Sequence, residues 1–100
     1  MIRVELATRA AADLLEIVRN SHQTWGGGQA ERYREELYLP LQQLSLSPGV
    51  GRRRDAIAPG LQSFTMAQHV AFYVQRKHKI LVLRILHPRM DVEDAFERGE

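Results

Sequence analysis

The sequence predicts an α+β domain: an N-terminal strand and an α-helical hairpin packed on a small, mostly antiparallel β-sheet. Three observations predict it. Residues 2–6 alternate apolar and charged, two stretches with helical apolar spacing flank Gly26-Gly27-Gly28, and three short strand-like runs crowd into residues 61–86. The resulting order, β-α-α-β-β-β, places a helical hairpin on one face of a sheet. With 100 residues and no linker, repeat or low-complexity stretch, residues 1–100 form a single domain.

The elements follow in order. Ile2-Arg3-Val4-Glu5-Leu6 has the period-2 pattern of a half-buried strand. Thr8 serves as N-cap for a helix whose stripe reads Ala11, Leu14, Leu15, Val18, His22 and Trp25. The glycine triplet ends it, because three glycines make a poor helix interior and a good reversal. A second helix begins near Gly28 or Gln29 and carries the stripe Ala30, Tyr33, Leu37, Leu41 and Leu44. Pro40 inside it removes a backbone donor and crowds the preceding turn, so a kink is expected.

Ser47-Pro48-Gly49-Val50-Gly51 reads as a turn and loop, and residues 52–57 can add a short strand. Strands follow at about 61–66, 69–75 and 80–86, the last two joined by the polar loop Arg76-Lys77-His78-Lys79. Pro88 stops the final strand, and residues 92–98 are expected as a short acidic helix. Alternation assigns Val70, Phe72 and Val74 to the helix-facing side, with Leu81, Leu83 and Ile85 beside them. Ala71, Tyr73, Ile80, Val82 and Leu86 then occupy the other face. A face so apolar calls for a cover, which this reading assigns to a partner chain or the C-terminal tail.

The charge is unevenly distributed. Residues 1–50 carry a net −1, residues 51–90 a net +7 and residues 91–100 a net −4. In the central segment eight Arg and Lys face Asp55 alone, which points to an anionic partner or to a solvated face. With no cysteine, disulfides, thiolate chemistry and cysteine zinc sites are excluded. No apolar run approaches the roughly 18 residues of a membrane span, and the N-terminus lacks a signal-like stretch, so a cytoplasmic protein is expected.

Few residues carry recognisable chemistry. The glycine triplet precedes a helix N-terminus that could take phosphate, but no strand leads into it and no phosphate-loop lysine follows, so it reads as a turn. His22, His69, His78 and His87 lack ligand spacing, and no metal or other cofactor is expected. Cleavage of RNA by its 2′-hydroxyl would require proton carriers and cations, for which Tyr73, His87, Arg84, Arg89 and one of Arg52–Arg54 are the candidates. Each is equally explicable as a sheet or loop residue.

Several of these stretches together resemble the ParE toxins of the RelE/ParE superfamily. They are Ala10-Ala11-Ala12-Asp13-Leu14-Leu15-Glu16-Ile17, Gln29-Ala30-Glu31-Arg32-Tyr33, Leu44 with Ser47-Pro48 and Gly51-Arg52, and Pro59-Gly60-Leu61-Gln62-Ser63-Phe64. His69 with Phe72-Tyr73, and Leu83-Arg84-Ile85-Leu86-His87 with Met90-Asp91, complete the set, which covers residues 2–96. The resemblance implies the toxin of a type II toxin–antitoxin module that poisons DNA gyrase by protein contact rather than by catalysis. It also implies neutralisation by a ParD-like antitoxin, with operator DNA bound only through that antitoxin. On this view the antitoxin- and target-binding residues are Arg52, Arg53, Arg54, Tyr73, Ile80, Val82, Arg84, Leu86, His87 and Arg89. Two alternatives stay open: a ribosome-dependent mRNA endonuclease using His87, Arg84, Arg89 and Tyr73, and an inactive relative serving only as antitoxin partner and co-repressor. The chain departs from the pattern at Gln62, where many relatives carry Arg, and at Pro40. It also lacks the lysine-rich set of the RelE-type nucleases.

Overall fold

A computed structural model describes residues 2–66 and 68–88. Strand β1 (Arg3–Leu6) leads into helix α1 (Thr8–Trp25), and α2 (Gly27–Leu46) returns along it. A single 3-10 turn at Pro48–Val50 connects to β2 (Arg52–Arg53), followed by β3 (Gln62–Met66), β4 (His69–Gln75) and β5 (Lys79–Leu86). The sheet order is β1-β5-β4-β3-β2, antiparallel throughout except that β1 lies parallel to β5. The helical hairpin and the three main strands lie where the sequence places them, and β2 is the first two residues of the 52–57 segment. The expected helix at 92–98 falls outside the described residues.

Only Gly26 of the glycine triplet lies outside the helices, and its φ of 82° is the left-handed conformation that lets the chain reverse without strain. Helix α2 runs through Pro40 as one element. Its buried face, Tyr33, Leu37, Leu41 and Leu44, holds it against the sheet on both sides of the proline. On α1 the buried stripe is rotated by one position from expectation. Ala10 is fully buried with Leu14 and Ile17 packed beside it, while Leu15 is 58% exposed.

The sheet faces require a correction. Ala71, Tyr73, Ile80 and Val82 pack under the helices, whereas Phe72, Val74, Leu81 and Leu83 lie on the opposite face. In β4 the alternation is regular but has the opposite sense; in β5 it is broken by a bulge, Phe72 pairing with Arg84 and Tyr73 with Val82, which leaves Leu83 as the extra residue. Crossing the bulge reverses the alternation, so Ile85 joins the helix-side core and Leu86 the other face. A simple period-2 reading of β5 anchored on Ile85 therefore inverts Ile80, Leu81, Val82 and Leu83.

The second face has a cover from within the chain. Residues 54–61 form a loop closed by the Arg54 N–H donating to the Leu61 carbonyl at 2.8 Å. Its Leu61, Ile57 and Ala58 pack on Phe72, Val74 and Leu86.

Candidate functional site

The sequence concentrates its positive charge in the loop after α2 and along the sheet rim. Arg52 and Arg53 are exposed on β2, and Arg53 Nε donates to Asp55 Oδ2 at 2.9 Å. Asp55 Oδ1 accepts from the Gly60 N–H at 3.0 Å, and Gly60 adopts φ 77° to present it. Those contacts, first the Gly60 amide and then Arg53, hold the Asp55 carboxyl below its ordinary pKa. Arg54 turns inward, with its guanidinium 5.6 Å from the Phe72 ring centroid. Of the three arginines, Arg54 therefore clamps the loop onto the second sheet face, and Arg52 and Arg53 face solvent.

The remaining site residues named from the sequence do not converge. Ile80 and Val82 are fully buried beneath the helices, and Leu86 is buried under the 54–61 loop, so none of the three presents a contact surface. Tyr73 is buried too. Its hydroxyl donates to the Pro48 carbonyl and accepts from the Gly51 N–H, each at 2.9 Å, and burial pushes its pKa up. It ties the turn before β2 to the sheet, and any side chain at Gly51 would collide with it. Arg84 is held in a fork by Asp13 of α1, Nε at 2.8 Å and Nη2 at 3.1 Å, while the Ile85 N–H donates to the same carboxylate. That pair is buried and welds α1 to the bulge. His87 is exposed, and Arg89 lies outside the described residues. The polar ends of Tyr73, Arg84 and His87 thus serve three separate partners rather than one reaction centre.

His69 was outside the candidate set drawn from the sequence, yet the fold gives it a defined place. Its Nδ1 lies 2.6 Å from the Tyr33 hydroxyl, and its ring meets His87 edge-on at 5.7 Å between centroids. Burial first, and the neighbouring His87 second, lower its pKa, favouring the neutral ring. Among the described residues no three His, Cys, Asp or Glu side chains gather as a metal site.

An open apolar surface that the sequence did not single out lies beside β1. Ile2, Val4, Leu6, Tyr38 and Leu41 line a cleft of about 650 Å³ between β1 and α2, with Arg3, Gln42 and Ser45 at its margin. A second groove shares Leu6 and Tyr38 and continues over Ala11, Leu14, Leu15 and Val18 of α1. Together they form one apolar trough along the helical hairpin, bordered by β1, the edge strand of the sheet among the described residues. No described helix is long and apolar enough to cross a membrane.

Residues 4–92 match the family model described as ParE toxin of type II toxin-antitoxin system, parDE. A Toxin ParE1 of Mycobacterium tuberculosis is 38% identical over 92 residues, spanning 91% of this chain and 94% of its own. The Toxin ParE of Escherichia coli is 32% identical over 88 residues, spanning 87% and 85% respectively. Among solved structures, a chain of the chromosomal ParDE toxin–antitoxin system of Pseudomonas aeruginosa shares the fold with a TM-score of 0.75 at 22% identity. That likeness covers 87% of this chain and 96% of the other.

Proposed function

Because the chain belongs to the ParE toxin family of type II toxin–antitoxin systems, we propose that it arrests growth by binding DNA gyrase through protein contact. A ParD-like antitoxin neutralises it by laying an amphipathic segment along the trough between β1 and the helical hairpin. The observation that carries the contact reading is the dispersal of the residues a nuclease would need. Arg84 is consumed by Asp13, and Tyr73 by Pro48 and Gly51, so neither can bind a phosphorane or move a proton at the surface. The trough supports the antitoxin assignment. Its apolar lining suits a helix laid in a groove, and β1 beside it is the edge strand of the sheet among the described residues.

The test is supercoiling of relaxed plasmid by gyrase, titrated with the purified protein with and without antitoxin, beside an in vitro translation reaction. The expected result is inhibited supercoiling or trapped cleaved DNA, relieved by antitoxin, while translation continues. Untouched gyrase together with cleaved mRNA would transfer the activity to ribosome-dependent RNA cleavage and place His87 at its centre.

A further inference from the structure

The sheet gathers its cations at one end. Arg3 opens β1 and pairs in register with Lys79 at the start of β5, the β4–β5 loop carries Arg76 and Lys77, and β2 contributes Arg53 and Arg52. Among the described residues six cations meet two carboxylates there. Glu5 is shared by Arg3 at 2.6 Å and Lys79 at 3.1 Å, and Asp55 is engaged by Arg53. Four positive charges remain in excess, and Arg52, Arg76 and Lys77 are exposed. No other acid lies between Glu36 and Asp91 in the sequence, so the segments that build this end of the sheet cannot neutralise it.

We propose that this rim binds the phosphate backbone of double-stranded DNA directly, without reading sequence. The choice of DNA rests on the reading that the toxin acts on gyrase engaged with its substrate; the geometry narrows the choice further. From β1 to β2 the rim crosses four inter-strand spacings, about 19 Å at roughly 4.8 Å each. A line that long matches several consecutive phosphates of a duplex, whose axis carries one charge per about 1.7 Å. Among the described residues the rim is built from strand ends and one short loop and carries no helix, so contacts stay on the backbone. It also lacks the stacking platforms that hold unpaired bases. Among the described residues Phe72, Tyr73 and Tyr33 are buried and Tyr38 faces the trough, which disfavours single strands.

The experiment measures fluorescence anisotropy of a labelled 20-base-pair duplex with the purified full chain from 50 to 200 mM NaCl. Three to four neutralised phosphates give a slope of log K against log salt near −3, a loss of roughly 50-fold over that range. Arg76→Glu with Lys77→Glu weakens binding at least tenfold and makes the slope shallower by about two, whereas Arg76→Lys with Lys77→Arg retains both values. Both changes lie in an exposed loop, and an unchanged Tm on each variant confirms that the fold is intact. The proposal is overturned if the Glu variant binds like the parent. It is equally overturned if a single strand or a poly-glutamate peptide of matched charge binds as tightly as the duplex. Supercoiling inhibition measured on the same preparations keeps the two readings apart. Duplex binding without gyrase inhibition removes the gyrase reading and leaves the rim; inhibition without duplex binding removes the rim alone.

Discussion

Asp13 and Arg84 show how a single contact decides between structure and chemistry. Arg84 is buried and donates to Asp13, and the largely buried Asp13 carboxylate accepts from Arg84 and from the Ile85 N–H. Asp13→Ala would leave an uncompensated guanidinium inside the fold and is expected to cost about 3–5 kcal/mol in urea denaturation. Replacing both partners, Asp13→Leu with Arg84→Met, should recover most of that loss; a double variant no better than the single one would contradict the argument. Gly51 is required for a different reason. Its φ of −72° suits any residue, but a Cβ there would sit 2.2 Å from the Tyr73 hydroxyl oxygen and 2.7 Å from its ring. Gly51→Ala should therefore destabilise by about 1–3 kcal/mol through overpacking. Part of that cost should vanish in a Tyr73→Phe background, measured as non-additivity of the two unfolding free energies.

His69 makes stability depend on pH. In the fold its pKa is lowered, so between the folded value and the unfolded value near 6.5 the unfolded chain binds more protons. The stability that neutral His69 contributes is complete above about pH 6.5 and is lost as pH falls toward the folded value. In the Nε2–H tautomer, protonation also removes the Nδ1 lone pair that faces the Tyr33 hydroxyl. Replacing His69 with Gln should flatten the thermal stability profile between pH 7 and 5; an unaltered slope would assign it to other groups.

At the scale of elements, α2 carries the core. Leu37 is 1% exposed and Leu44 fully buried, so Leu37→Ala should cost about 2–5 kcal/mol, whereas exposed Leu39 should tolerate Ala at little cost. Pro40 lies in the interior of this helix and lacks the amide that the helical ladder needs. Pro40→Ala is expected to stabilise by about 1–2 kcal/mol, read from the urea midpoint at constant m-value. The α2 stripe was legible because its positions repeat at helical spacing whatever they pack against. The sheet faces were not, because one extra residue at Leu83 inverts the alternation, and a bulge leaves no mark in an apolar run such as Ile80-Leu81-Val82-Leu83.

For the whole molecule, the decisive event is the return of the last described strand beside the first. β1 pairs in parallel with β5, so Arg3 meets Lys79 across 76 residues of sequence, and the trough exists only because α2 then lies along β1. The surface proposed for the antitoxin consequently belongs to no single segment. Leu15→Glu, at an exposed position lining that trough, should weaken antitoxin binding at least tenfold in isothermal titration while leaving Tm unchanged. Affinity equal to the parent would move the docking site elsewhere. The second face of the sheet, read from sequence as awaiting a partner chain or the C-terminal tail, is covered in part by the 54–61 loop under the clamp of Arg54.

Element order, the αα-hairpin, the strand boundaries and the central concentration of positive charge all followed from the sequence by itself. Each is set by local spacing or by composition, and local backbone preferences act within a few residues. Which face of the sheet meets the helices, that Tyr73 and Arg84 serve the fold, that His69 joins Tyr33 and His87, and where an apolar trough opens were decided only by the tertiary structure. Those depend on contacts such as Asp13 with Arg84 and Gly51 with Tyr73, between residues tens of positions apart. Burial and pairing of this kind are properties of the packed chain, and no pattern along the sequence encodes them.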